Sequence, residues 1–172
     1  SCVSSPWTAP AMSPVAAIRA CMVAGFALLP AVASASCWEE AAQHYGIDPL
    51  LLKAIAWQES RGGTGAIGPK LPDGNQALGL MQINTIHLPA LAKFGIRRED
   101  LFDACINQKV GAWILADCMR RFGQIWRAVG CYYAGPGSKN FSAQEKYVSG
   151  VRRYYEGYRC KSSPKGCACE GS

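Results

Sequence analysis

The feature that most limits what this chain can become is its punctuation. From Cys37 to Tyr158, apolar residues recur at three- and four-residue spacing, in runs stopped by glycine or proline. No stretch keeps up the two-residue alternation of a half-buried strand. Such a pattern specifies helices around one core. The spacing predicts a short amphipathic helix over 37–46 with Gly46 as its stop. A second helix opens at Asp48-Pro49, aspartate as N-cap and proline in the first turn, and ends near Ser60. Residues 61–78 are rich in Gly and Pro and read as an irregular loop, with a short hairpin expected in 64–80. Helical pattern returns in 85–95 and in 103–123, where Val110, Trp113, Ile114 and Asp117 form a stripe. It follows again in 124–136, stopped by Gly135-Pro136, and in 142–158, where Ser142 and Glu145 have capping-box spacing. A chain of 172 residues is long enough for one core. The expected fold is a mostly α single domain.

The first 35 residues read as a leader rather than as part of that fold. From Met12 the sequence has one positive charge, Arg19, an apolar run from Ala20 to Ala33, and Ala33-Ser34-Ala35 as a small-x-small cleavage site. This is the layout of a secretory signal peptide. The run falls short of the ~20 apolar residues of a membrane span, and Pro30 interrupts it, so no stable membrane anchor is expected. Lipid attachment at Cys37 fits poorly, because Ser34-Ala35-Ser36 lacks an aliphatic residue before the cysteine. The expected division is leader 1–35, folded domain 36–160 and a mobile, cysteine-containing tail 161–172.

Without the leader, 137 residues remain, with 17 basic and 12 acidic side chains, a net charge of +5. An exported basic protein is drawn to polyanions. The basic residues are scattered and form no nucleic-acid module, so the bacterial cell wall is the expected partner and nucleic acid is not. Seven of the nine cysteines follow the leader. Their spacing lacks the paired pattern of a zinc site, and no metal or other cofactor is expected. Disulfides in an oxidising compartment are the expected use, and the odd number leaves at least one thiol over.

Three clusters fall at the ends or turns of these elements. Glu59-Ser60 closes the helix that carries Leu52, Ile55 and Ala56, which places the carboxylate on an apolar stripe. The bland reading of Glu59 is a helix end paired with Arg61. The sequence "GLMQIN", Gly79 to Asn84, follows the flexible loop, and "CYYAG", Cys131 to Gly135, ends a later helix. Taken singly, Leu80, Met81, Ile83 and the two tyrosines are ordinary packing residues.

In this order, the clusters resemble the soluble lytic transglycosylases, and the resemblance runs from about Cys37 to Tyr158. Tyr147-Val148 with Val151 is similar to that family's C-terminal Tyr-Val-x-x-Val. The phrases "AIAWQES", "GLMQIN" and "VGAWILA" are closest in flavour to small members associated with secretion systems, pili and conjugation. The resemblance implies a lysozyme-like helical fold and a monomer in the periplasm that acts on peptidoglycan glycan strands, with a secretion, pilus or conjugation apparatus as the expected partner. It implies Glu59 as the catalytic acid. It implies substrate binding by Ser60, Gly79, Met81, Gln82 and Asn84, with Tyr132 near Glu59 or the sugar. Where the family carries asparagine this chain has Tyr133, expected either at the cleft edge against a sugar ring or in the core. The resemblance also implies a Cys37–Cys105 disulfide, with Cys118 and Cys131 the next pair, on consecutive helices joined around Gly123.

The implied reaction cleaves the β-1,4 bond between N-acetylmuramic acid and N-acetylglucosamine and closes a 1,6-anhydro ring. That chemistry accommodates a lone carboxyl. Ordinary glycosidases need two, and Asp48 and Asp73, the acids nearest in sequence, sit in no cluster. The alternatives are a hydrolytic muramidase of the same fold and a catalytically inert wall-binding scaffold.

Overall fold

A computed structural model describes residues 36–163. The expected leader, and the end of the expected tail from residue 164 onward, lie outside these residues. Six helices carry the described chain: α1 (Cys37–Tyr45), α2 (Pro49–Ser60), the single turn α3 (Leu88–Leu91), α4 (Ala104–Phe122), α5 (Ile125–Ala134) and α6 (Phe141–Ser162). The fold is mostly α, as the periodicity requires. Helix α4 packs on α1 and α5, while α2 packs on α6. Leu52, Ile55, Leu101, Leu115, Val129 and Val151 meet between them without solvent exposure.

The helix signals act as their chemistry dictates. Gly46 adopts φ 65° and ends α1 by donating its N–H to the carbonyls of Ala42 and Gln43. The Asp48 side chain accepts from the Leu50 N–H at 2.9 Å, with Pro49 at the first helical position. Asp103 caps α4 by accepting from Ile106 at 2.8 Å.

Several expectations are corrected. Ser142 and Glu145 do not form a capping box. Asn140 is the N-cap of α6 and accepts from Ala143, so Ser142 already lies inside the helix. An asparagine oxygen reaches the free amide as well as serine does, and it stands two residues earlier. The helical pattern in 85–95 breaks into two 3₁₀ turns, Thr85–His87 and Ala92–Phe94, around α3. Pro89 sits in the first turn of α3, Asn84 caps the first 3₁₀ turn and Gly95 ends the second at φ 73°. Of the expected α4 stripe only Val110 is buried; the buried face also takes in Asn107, Gly111, Leu115 and Cys118. Its small residues allow close packing, and Trp113 and Ile114 remain half-buried at the margin. Helix α6 continues to Ser162, past the expected start of the tail.

Two disulfides staple this arrangement. Cys37 joins Cys105 across 68 residues, tying α1 to the start of α4, and Cys118 joins Cys131 between α4 and α5. Cys160 is also disulfide-bonded. The strand pairing is smaller than, and displaced from, the expected hairpin. β1 (Ala77–Leu78) pairs antiparallel with β2 (Ile83–Asn84), and Ile67 bridges to Leu78. The intervening turn, residues 79–82, forms one side of the site.

Candidate active site

Glu59 stands one residue before the end of α2, on the turn that follows Leu52, Ile55 and Ala56, all buried. The residue as a whole is half-buried with its carboxyl turned inward, and Tyr147 of α6 donates its hydroxyl to Oε1 at 2.5 Å. Loss of hydration disfavours the carboxylate. Burial therefore pushes the Glu59 pKa up from 4.5 to about 7, although the Tyr147 hydrogen bond pulls the other way. The bland partner is absent: Arg61 binds the Tyr154 hydroxyl and lies 5.9 Å from the centre of the Trp57 ring. No second carboxylate contributes to the shift at Glu59. Asp48 accepts from Leu50 and Tyr155, and Asp73 accepts from Asn75.

The turn at residues 79–82 is held by side chains from four directions. Asn107, buried in α4, accepts from the Met81 N–H at 2.7 Å. It donates to the carbonyls of Leu78 and Leu101 at 3.0 and 2.6 Å. Ser60 donates to the Leu80 carbonyl at 2.7 Å and so fastens the end of α2 to the turn. Tyr132 of α5 donates to the Met81 carbonyl at 2.8 Å. Gln82, at φ 50°, donates to the carbonyls of Gly79 and Ala66. Buried backbone polar groups need partners, and those of this irregular turn that lack a backbone partner find one on side chains.

Gly79 cannot be replaced within this arrangement. Its φ is +74°, and a Cβ there would lie 2.2 Å from the Leu101 carbonyl oxygen and 2.3 Å from the Asn107 amide. Gly111 on α4 makes room in the same way for the Met81 thioether.

The structure therefore brings the expected residues together but directs several of their side chains into support of the turn. The Met81 side chain is in the core and the Ser60 hydroxyl is spent on Leu80. Asn84 caps the following 3₁₀ turn through Ile86, and the Tyr132 proton goes to Met81. Burial, followed by the Glu59 charge, pushes the Tyr132 phenol well above its ordinary range, so it remains a neutral donor. Tyr133 is half-exposed and stacks on Tyr147 with ring centres 4.6 Å apart, so it is not a core residue.

Two residues of the site were absent from the sequence-based set. Tyr147 grips the carboxyl, and its signal was available in the Tyr-Val-x-x-Val phrase. Asn107 organises the turn. A polar residue at the start of an otherwise apolar helix face was its only trace.

A buried carboxyl at a helix end, facing a tied turn within a lysozyme-like helical domain, is the architecture of a lytic transglycosylase. Residues 36–154 match the Transglycosylase SLT domain, and the chain belongs to that family. It is 44% identical over 126 residues to Invasion protein IagB of Salmonella typhimurium, covering 73% of this chain and 76% of that one. It is 34% identical over 128 residues to Protein IpgF of Shigella flexneri, covering 74% and 84%. Among solved structures, it resembles an inactive glutamate-to-glutamine mutant of the lytic transglycosylase Slt from Pseudomonas aeruginosa. The TM-score is 0.60 at 24% identity, over 80% of this chain and 26% of that one, which supports the fold.

Proposed function

We propose that Glu59 cleaves the β-1,4 bond between N-acetylmuramic acid and N-acetylglucosamine by acting alone, first as acid and then as base. The protonated carboxyl gives its proton to the glycosidic oxygen as the bond to C1 breaks. The muramic 6-hydroxyl then closes on C1 and returns its proton to Glu59. No water enters, and the product ends in a 1,6-anhydro ring. The observation that carries this reading is a single carboxyl poised near neutrality by burial, with only a tyrosine on it. A two-carboxylate mechanism needs a partner across the bond, and the acids nearest in sequence are bonded elsewhere.

Tyr147 fixes the carboxyl rotamer. Ser60, Asn107 and Tyr132 hold the turn over which the glycan lies, where Gly79, Gln82 and Asn84 offer backbone and amide groups to the sugars. Tyr133 presents a ring face to the glycan at the cleft edge.

The enzyme works in the periplasm after removal of the 1–35 leader. Its disulfides suit that compartment, and among the described residues no helix is long and apolar enough to cross a membrane. Similarity to a protein named for invasion supports local wall opening during assembly of a secretion, pilus or conjugation apparatus.

Mass spectrometry of the muropeptides released from purified sacculi tests the reaction. Anhydro-ended products, one water lighter than hydrolysis products, are expected. Reducing-end products alone identify a muramidase, and no release identifies a scaffold.

A further inference from the structure

Helix α6 has two distinct sides. Tyr147 and Gly150 face α2, where they meet Glu59 and Gln58. At about 100° per residue, Phe141, Glu145, Val148 and Arg152 fall on the opposite side. There α5 and α6 border an open groove of about 760 Å³ that the proposed reaction does not use. Phe122, Trp126 and Val148 line it, and Phe141 joins them with 63% of its surface exposed. The groove is built in advance. Gly130 lets α5 approach α6 so closely that a Cβ there would lie 3.0 Å from the Gln144 amide oxygen. Gln144 donates to the Ser138 carbonyl at 3.2 Å, and the Ser138 hydroxyl accepts from the Asn140 N–H at 3.2 Å. The α5–α6 connection is thereby fastened to the start of α6, while the Cys118–Cys131 disulfide ties α5 to α4. Fixed walls lower the ordering cost of binding.

Three cations border the groove, Arg127, Lys139 and Arg152, against one acid, Glu145. Arg127 lies 5.3 Å from the centre of the Phe122 ring, and Arg152 lies 4.5 Å from that of Trp126. These ring contacts hold both guanidinium groups at the groove without supplying an anion. Among the described residues none of the three cations is in an ion pair, whereas Arg120 and Arg121, at the end of α4, share Asp117. Exposed apolar surface edged by charge of one sign marks an interaction site.

We infer that this groove docks an amphipathic helix of another protein, with apolar side chains in the groove and acidic residues along its flanks. Helix α5 has 10 residues and is roughly 15 Å long, which suits the three-turn i, i+3/i+4, i+7 anchor of a helix laid in a groove. Segments of this chain do not complement it. Residues 1–35 contain no Asp or Glu, and residues 164–172 contain one acid and no large apolar side chain. A second copy is itself basic, and many of its acids are already engaged. Glu39, Glu40, Asp100 and Asp117 are in ion pairs, and Asp48 and Asp103 cap helices. A lipid surface is met by a projecting apolar face, whereas this one is concave. Docking here is independent of the reaction proposed for Glu59, and it leaves the cleft open because the two lie on opposite sides of α6.

The probes are three synthetic helical peptides of about four turns, with the same Leu and Phe anchors and with Glu, Gln or Lys on the flanks. Fluorescence anisotropy should rank their affinities Glu over Gln over Lys, with about tenfold between first and last. Added salt should narrow that difference. Phe141→Ser, at an exposed side chain, should weaken all three roughly tenfold. Arg127→Glu/Arg152→Glu should reverse the ranking, and Lys139→Glu should move it in the same direction, which keeps the test decisive if the arginine pair is needed for folding. Circular dichroism checks that each variant is folded, and muropeptide release should match the wild type. Equal affinities, no binding of any peptide, or a ranking that the substitutions leave unmoved overturns the docking site. Dimerisation in sedimentation equilibrium that Phe141→Ser abolishes would give the groove to a second copy and overturn it too. So would binding to phosphatidylglycerol vesicles that is lost in Phe141→Ser, which would give the groove to a lipid surface. Peptide binding needs no turnover, so its outcome is separate from the identity of the released product.

Discussion

Glu59→Gln separates the chemistry of the site from the architecture around it. The amide keeps the shape of the carboxyl and an oxygen to accept the Tyr147 hydroxyl, but it carries no acidic proton. Release of soluble muropeptides should therefore stop. The same variant should be more stable than the wild type at alkaline pH, and the sign follows from the direction of the shift. The Glu59 pKa is raised from 4.5 to about 7, so the folded state holds the proton more tightly than the unfolded chain does. That contribution is fully present below pH 4.5 and is lost as pH rises through 7. Each tenfold change in proton affinity is worth about 1.4 kcal/mol, so at pH 8 the buried charge costs the wild type about 3 kcal/mol.

Glutamine escapes this loss at every pH. The two proteins should melt together at pH 4, and at pH 8 the variant should melt about 5–10 °C higher. Thermal melts by circular dichroism across this range read the difference. Muropeptide release by the wild type should decline above pH 7 as the acid loses its proton. A variant that gains nothing at pH 8 would show that the carboxyl is hydrated in the folded state. Wild-type turnover by the variant would remove Glu59 from the reaction.

Tyr132→Phe takes the only side-chain donor from the Met81 carbonyl; it should cost about 1–3 kcal/mol and slow muropeptide release, and an unchanged melting temperature would show that the turn does not depend on it. Gly79→Ala forces a Cβ into the Leu101 carbonyl and the Asn107 amide at positive φ; a loss of more than about 3 kcal/mol is expected by urea unfolding, and a near-neutral result would mean the turn can relocate. Replacing Cys37 and Cys105 together with Ala opens a 68-residue loop, for which chain entropy gives about 4 kcal/mol, against about 3 kcal/mol for the 13-residue Cys118–Cys131 loop; comparing the two double variants in urea checks the order. Tyr133→Asn should lower stability by no more than the ~1 kcal/mol of one ring stack while weakening glycan binding, which Tyr133→Phe should retain. A large fall in melting temperature for Tyr133→Asn would make the ring a core element.

Helix signals were legible in this sequence wherever one residue settles the outcome locally. Asp48-Pro49, Gly46 and Gly123 each fix a backbone end by their own chemistry. The region 85–95 was not legible, because its apolar spacing is helical while Pro89 and Gly95 cut the backbone ladder into single turns. At the start of α6 the cap is Asn140, two residues upstream of the expected Ser142. At the site, the motif residues lie together in the fold, but their tasks depend on where each hydrogen bond ends. Ser60 reads as a polar residue beside an acid, and only the fold shows its proton on the Leu80 carbonyl. Asn107 is the harder case. Its three hydrogen bonds join segments that lie up to 29 residues away along the chain, and no local pattern encodes them.

In the proposed reaction one acid suffices, and the surroundings of that acid account for it. Glu59, Tyr132 and Tyr147 come from three helices and share one poorly hydrated region. Burial acts on all three in the same chemical direction, towards the neutral form, yet with different consequences. Both phenols are held well above their ordinary range, so they act as fixed donors, one to the Glu59 carboxyl and one to the Met81 carbonyl. The carboxyl, starting from a much lower value, is brought only to about 7. Among these three buried groups, Glu59 is thus the one whose proton can leave and return near neutral pH. Among the described residues no cation is hydrogen-bonded to the carboxylate itself, so in the proposed reaction the charge that Glu59 carries in between is balanced by the reacting sugar. On that proposal the muramic 6-hydroxyl returns the proton to Glu59 and no water is needed.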